Sequence, residues 1–207
     1  ATTPSTSSIA VTPMTTTEAS TALSIRAGST LLLDARLLER NQCLTVHSGL
    51  VRVSASRPEQ EALSVHPVTL GFLQAGDQLP LDLLRTTRLH LEALTAAQLV
   101  EGCPMNPAAG TINLHEWTLS LLLLRNLNDA GQRIGALLQL LVERLGRRNG
   151  AWYELPLRLT HAELADLSGH TRVTVTKQLS RWRSLGLIEQ DAGPGRTLRI
   201  APELLEA

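Results

Sequence analysis

The stretch Thr160–Gly186, THAELADLSGHTRVTVTKQLSRWRSLG, restricts the fold more than any other part of the chain. It predicts a helix, a tight turn and a second helix suited to reading DNA. Thr160 is an N-cap residue with Glu163 three positions on, a capping box in which the hydroxyl and the carboxylate each satisfy a free backbone N–H. Leu164 and Leu167 give the first helix one apolar face, with small Ala165 between them. Ser168-Gly169-His170 breaks the helix, and Gly169 can take a positive φ without a Cβ penalty. Thr171 caps the second helix and Gly186 suits its stop. At helical spacing Val175, Leu179 and Trp182 fall inward, while Arg172, Val173, Thr176, Lys177 and Ser180 fall on the opposite side. Ala165, Gly169 and Val175 supply close approach, turn and filled contact for two helices that cross steeply.

In order, kind and spacing, these residues resemble the DNA-binding end of the Crp/Fnr transcription regulators. Leu157-Arg158-Leu159-Thr160-His161 followed by Thr171-Arg172-Val173-Thr174-Val175-Thr176-Lys177 is similar in particular to the cyanobacterial global nitrogen regulators of the NtcA type. The resemblance implies an α+β chain: an N-terminal β-roll (jelly-roll-like) sensor domain of the cyclic nucleotide-binding kind, a dimerisation helix and a C-terminal winged helix-turn-helix. The expected divisions are a disordered arm over 1–20, the sensor over 21–110, helix and hinge over 111–128, and the reading domain over 129–207.

Formal net charge is zero, but residues 144–199 hold ten Arg/Lys against five Asp/Glu, whereas residues 1–143 hold nine against twelve. A basic C-terminal module on an acidic body fits nucleic-acid binding. Cys43 and Cys103 lack metal-type spacing and read as buried or free thiols in a reducing cytoplasm, unlike the cysteine cluster of oxygen-sensing relatives. No apolar run approaches a membrane span, so a cytoplasmic protein with no membrane partner is expected.

Residues 1–20 are rich in Ser, Thr and Ala and carry no periodic apolar face. Short strands follow at 31–33, 43–46, 50–54, 68–73 and 89–94, separated by turn signals such as Ala27-Gly28 and Ala75-Gly76-Asp77. That pattern predicts a sandwich or barrel. Val46–Val53 and Leu70–Asp77 resemble the family's β-roll. His47, His66 and His90 are scattered, so no metal site assembles from the sequence.

Cyclic-nucleotide members of the family carry a Gly-Glu pair for the ribose and an Arg-Ser or Arg-Thr pair for the phosphate. Here the region reads Gln78-Leu79-Pro80-Leu81-Asp82-Leu83-Leu84-Arg85-Thr86-Thr87-Arg88, without the Gly-Glu. Arg85 with Thr86, or Arg88, can hold an anion through bidentate bonds. No cofactor is evident. A small anionic effector like 2-oxoglutarate and an effector-free pocket both stay open.

Asn113 caps a helix with Glu116 at the capping-box position. Leu114, Trp117, Leu121 and Leu124 follow its spacing, and Leu122, Leu123 and Leu127 widen the apolar face. A helix apolar over so much of its circumference needs covering on two sides, by the β-roll and, as the resemblance implies, by a twofold-related copy. Leu114, Trp117, Leu121 and Leu124 are taken as the dimerisation residues. The helix is shorter than is usual in the family. Asp129 caps a further helix over about Ala130–Leu145, and Ile188 and Leu198 belong to a hairpin wing with Arg196 at its tip.

The sequence therefore predicts a homodimeric, sequence-specific regulator that binds double-stranded DNA and is not an enzyme. RNA polymerase is the partner that the resemblance implies. Thr171, Arg172, Val173, Thr176, Lys177, Arg181 and Arg196 are the predicted DNA contacts. By resemblance the site is a palindrome with GTA…TAC half-sites. A jelly-roll enzyme or binding protein would need converging His and carboxylate ligands. A winged-helix adaptor would not need Arg172.

Overall fold

A computed structural model describes residues 22–33, 35, 43–57, 66–102, 114–190 and 197–206. Eight strands make the N-terminal half: β1 (Ala22–Ile25), β2 (Thr30–Leu33), β3 (Cys43–Ser48), β4 (Leu50–Ser56), β5 (Val68–Gln74), β6 (Gln78–Pro80), β7 (Arg88–Ala93) and β8 (Ala97–Glu101). They form two four-stranded antiparallel sheets, ordered β1-β8-β3-β6 and β2-β7-β4-β5. Alternation decides what lies between them. Val51, Val53, Leu89 and Leu91 turn inward and are fully buried, with Leu44, Val46, Leu73, Leu79 and Leu99. Arg52, Ser54, His90 and Glu92 of the same strands therefore face outward.

The strands expected from the sequence are present, and β1, β6 and β8 are additions. Cys43 corrects the reading of free thiols, because it is disulfide-bonded. The start of β3 lies against the end of β8, where Gly102 N–H donates to the Cys43 carbonyl at 3.0 Å. The chain's second cysteine, residue 103, comes directly after Gly102 in sequence and lies outside the described residues.

Helix α1 (Leu114–Leu124) packs on β5, and α2 (Ala130–Leu145) packs on α1. Asp129 caps α2 as expected, its Oδ1 accepting from Gln132 N–H at 2.8 Å. Gly71 is the seat of α1: a Cβ there would meet Trp117 Cβ at 2.4 Å and Cγ at 2.7 Å. Phe72 meets the Trp117 ring edge-on, with centroids 5.2 Å apart, and the Arg144 guanidinium lies 4.6 Å over the ring centre. Thr118 Oγ1 donates to Leu70 O at 3.0 Å. Gly71→Ala is expected to overpack this seat and cost about 1–3 kcal/mol. Chemical denaturation should show a lowered midpoint, and an unchanged midpoint would remove this account of Gly71.

The four residues read from the sequence as the dimerisation face lie against the chain's own core. Leu114, Trp117 and Leu121 are 2%, 1% and 6% exposed and belong to the chain's own core, against which half-buried Leu124 also packs. Helical spacing groups these residues on one face but cannot say what covers it. The opposite face carries Leu119, Leu122 and Leu123, which are 57–61% exposed. The predicted cap Asn113 lies outside the described residues.

The C-terminal part continues with β9 (Arg147–Asn149), β10 (Trp152–Glu154), α3 (His161–Ser168), α4 (Arg172–Ser184), β11 (Ile188–Gln190), β12 (Leu198–Ile200) and the short α5 (Pro202–Leu205). Its strands form one antiparallel sheet ordered β11-β12-β10-β9. Residues 147–149, expected only to end α2, are thus the edge strand of the wing sheet. No helix among the described residues is long and apolar enough to cross a membrane, and no group of three His, Cys, Asp or Glu among them could hold a metal ion.

Candidate nucleic-acid interface

Local chemistry builds the two crossing helices. Thr160 Oγ1 accepts from Glu163 N–H at 3.2 Å, and Glu163 Oε2 accepts from Thr160 N–H at 2.6 Å, so the capping box is complete. Gly169 ends α3 at φ 69°, and the next N–H, of His170, donates to Ala165 O at 3.0 Å. A Cβ on Gly169 would touch nothing closer than 3.6 Å, so the left-handed backbone, not crowding, calls for glycine there. Thr171 Oγ1 accepts from Thr174 N–H at 3.2 Å and starts α4. Gly186, at φ 70°, ends it, with Leu187 N–H donating back to Trp182 O at 2.9 Å.

Packing then fixes which side of α4 is free. Val175, Leu179 and Trp182 are 0%, 1% and 7% exposed, and the Trp182 ring rests against Gly135 of α2. Ala165 and Ser168 of α3 are buried at the crossing, and Ser168 Oγ donates to Leu164 O at 2.7 Å. The opposite side carries Thr171, Arg172, Val173, Thr176, Lys177, Ser180 and Arg181, all exposed. Val173 is 77% exposed, an apolar side chain left open to solvent among the described residues. Six of the seven predicted DNA contacts thus share one open surface. The seventh, Arg196, lies outside the described residues.

Two of the wing's basic residues are engaged internally. Arg199 pairs with Glu154 at 3.3 Å and Glu189 at 3.1 Å, and stacks 5.3 Å over Trp152. Arg148 lies 5.9 Å over Tyr153.

The sequence reading missed two cross-element contacts. Arg52 on the outer face of β4 joins Glu92 of β7 and reaches Glu163 Oε1 of α3 at 3.0 Å. The capping-box carboxylate therefore also ties the reading helices to the sensor-like sheet, beside a cavity of about 270 Å³. His161 meets Thr176 across the helix crossing, Nδ1 to Oγ1, at 2.8 Å. Burial, then Arg183, then Arg172 hold the His161 ring below the usual histidine range. Neither contact has a sequence signal, because each joins residues from different elements.

The predicted anion residues lie apart from the three cavities described. Leu81–Arg85 is a single 3-10 turn that buries Leu81 and Leu84 and leaves Arg85 exposed. Thr86 is exposed, and Arg88 begins β7 opposite Ser56. None of the three lines the cavities of about 270, 560 and 430 Å³.

Residues 132–207 match the family model described as the Crp-like helix-turn-helix domain, and residues 23–112 match that of the cyanobacterial CRP family N-terminal domain. The chain is 34% identical over 155 residues to the regulatory protein CysR of Synechococcus elongatus, covering 70% of each chain. A CRP/FNR-family transcriptional regulator from Thermus thermophilus superposes with TM-score 0.61 at 23% identity, over 90% of this chain and 99% of that one. A CooA mutant from Carboxydothermus hydrogenoformans gives TM-score 0.63 at 22% identity, over 90% and 85%. At these identities the two structures speak for the fold alone.

Proposed function

The chain belongs to the Crp family of transcription regulators, and from that premise we propose that it binds a palindromic DNA site as a homodimer, one α4 in each of two successive major grooves. The observation that carries the pairing is the outward face of α1. Leu119, Leu122 and Leu123 lie together on it, more than half exposed, and a contiguous apolar patch marks an interaction surface. A twofold axis along α1 would set the reading helices about 34 Å apart, and protein symmetry would then impose symmetry on the site. Residues 21–110 are read as the sensor-like domain, 111–128 as pairing helix and hinge, and 129–207 as the reading domain. RNA polymerase is the further partner of such a regulator.

Arg172 has the rigid fork that guanine O6 and N7 accept bidentately. Val173 offers cytosine no acceptor and can pack on a thymine methyl. Lys177, the chain's only lysine, reaches a base or a phosphate. Thr171, Arg181 and Arg196 are assigned to phosphate and groove edge, and Thr176 to the groove edge, where its methyl group can pack. Half-sites of the GTA type with an inverted TAC partner follow, in keeping with the likeness to the cyanobacterial nitrogen regulators. A Val173→Glu variant should turn preference from GTA toward GTGA-type half-sites by about 1–3 kcal/mol, read by competitive gel shift. An unchanged preference would remove the role of Val173.

The sensor half is read as effector-free. Its interior is filled by aliphatic side chains, and Arg85 and Thr86 are exposed on their turn. Selection of bound sequences from random DNA tests the whole reading, run alone and with 2-oxoglutarate or cyclic nucleotides. The expected product is one palindrome under all conditions. Asymmetric single half-sites would overturn the dimer, and a ligand-dependent yield would restore an anion site at Arg85, Thr86 or Arg88.

A further inference from the structure

His161 is the first residue of α3 and was not among the contacts read from the sequence. Its ring bridges the two crossing helices through Nδ1 and Thr176 Oγ1 at 2.8 Å. The Thr176 hydroxyl also lies 2.8 Å from the Arg172 carbonyl, to which it donates. A hydroxyl has a single proton, so Thr176 can only accept from the ring. Nδ1 must therefore carry a hydrogen, whatever the charge of the imidazole. The other nitrogen, Nε2, is a lone pair when the ring is neutral and an N–H donor when it is protonated.

The surroundings make that difference matter. His161 is half-buried next to the open face of α4. From α4 the charges that act on it are Arg172 and Arg183, both positive. From its own helix Glu163 is committed elsewhere, to the Thr160 N–H and to Arg52. The free protein thus favours the neutral ring. A DNA backbone laid along Arg172 and Thr176 adds negative charge at the same place, and phosphate oxygens accept hydrogen bonds from N–H but not from a lone pair.

We propose that His161 is a proton-linked part of the DNA interface: neutral, it holds Thr176 and the first turn of the reading helix; with DNA bound, it takes up one proton and donates Nε2–H to a backbone phosphate. The proposal rests on α4 being the groove helix. Nothing is broken in the step except the bond from the proton to solvent. The sign follows from linkage. Burial and the two arginines lower the midpoint of the ring in the free protein, and phosphate raises it in the complex. Affinity therefore rises as pH falls from the bound midpoint to the free midpoint, and is level outside that window. The gain is at most about tenfold per histidine for each pH unit that separates the two midpoints.

The test measures affinity of the full chain for a fixed duplex by fluorescence anisotropy, from pH 5.5 to 8, at several salt concentrations. His161→Asn keeps a donor for Thr176 but does not titrate. The native protein should gain several-fold in affinity toward low pH, with a salt slope steeper by about 0.9 per added phosphate contact. His161→Asn should match it near pH 8 and lose both the pH gain and the extra slope. Equal pH profiles for the two proteins would overturn the proposal. Arg172→Ala serves as the companion measurement: if it leaves affinity unchanged, the groove assignment of α4 fails as well, whereas a weakened Arg172→Ala with equal pH profiles condemns His161 alone.

Discussion

Replacing Leu122 and Leu123 together by Asp is expected to yield a folded monomer that has lost at least a hundredfold in affinity for the palindrome. Both side chains are 61% and 57% exposed, and the face that Trp117 and Leu121 press into the core is on the other side of α1. The charges therefore meet water in the monomer and each other in the dimer. Burying an exposed leucine completely contributes roughly 1.5–3 kcal/mol, so three per copy supply much of what pairing needs. The helix has eleven residues and is about 16 Å long, which leaves little other surface along it to compensate. Once pairing is lost, each half-site binds independently, and linked binding of two modules is worth about 10²- to 10⁴-fold. Sedimentation velocity reads the mass and anisotropy reads the affinity. A dimer that survives both aspartates would sink the assignment. Leu121→Asp is the contrasting variant, because it buries a charge in the chain's own core and should unfold the protein instead.

Arg172→Ala should weaken specific binding by about 1–3 kcal/mol per half-site, tenfold or more, with no change in thermal midpoint. Stability is spared because Arg172 is exposed and its carbonyl, not its side chain, serves the helix and Thr176. Arg172→Lys should recover only part of the loss, since an ammonium cannot reproduce the planar fork. The contact can be located by placing 7-deazaguanine in the half-site. That base lacks the N7 acceptor, so its cost should be large for the native protein and small for Arg172→Ala. Equal costs in the two proteins would mean that Arg172 touches phosphate only.

The reading helices were legible because what makes them is local. Thr160 with Glu163, Gly169, Thr171 and Gly186 each act within a few residues of themselves, and the structure bears out all of them. The α2 boundaries were equally plain, from Asp129 to Leu145. The larger strands announced themselves by β-branched and apolar runs between turns. β1, β6 and β8 did not, since they lack such runs and owe their form to the neighbours they pair with. Gln78–Pro80 is a strand because Cys43–Thr45 lies alongside it.

For the site, composition and helical phase determined which side of α4 is open, and the fold agrees residue by residue from Thr171 to Arg181. The amino-acid order thus set what depends on spacing within one helix or one turn: caps, stops, polar faces and apolar faces. The tertiary structure alone decided which apolar face of α1 the protein covers with its own core, leaving Leu119, Leu122 and Leu123 outside. It alone joined Cys43 into a disulfide, Arg52 to Glu163, and His161 to Thr176. Those outcomes depend on the approach of segments separated in sequence, and a one-dimensional pattern carries no record of which surfaces will meet.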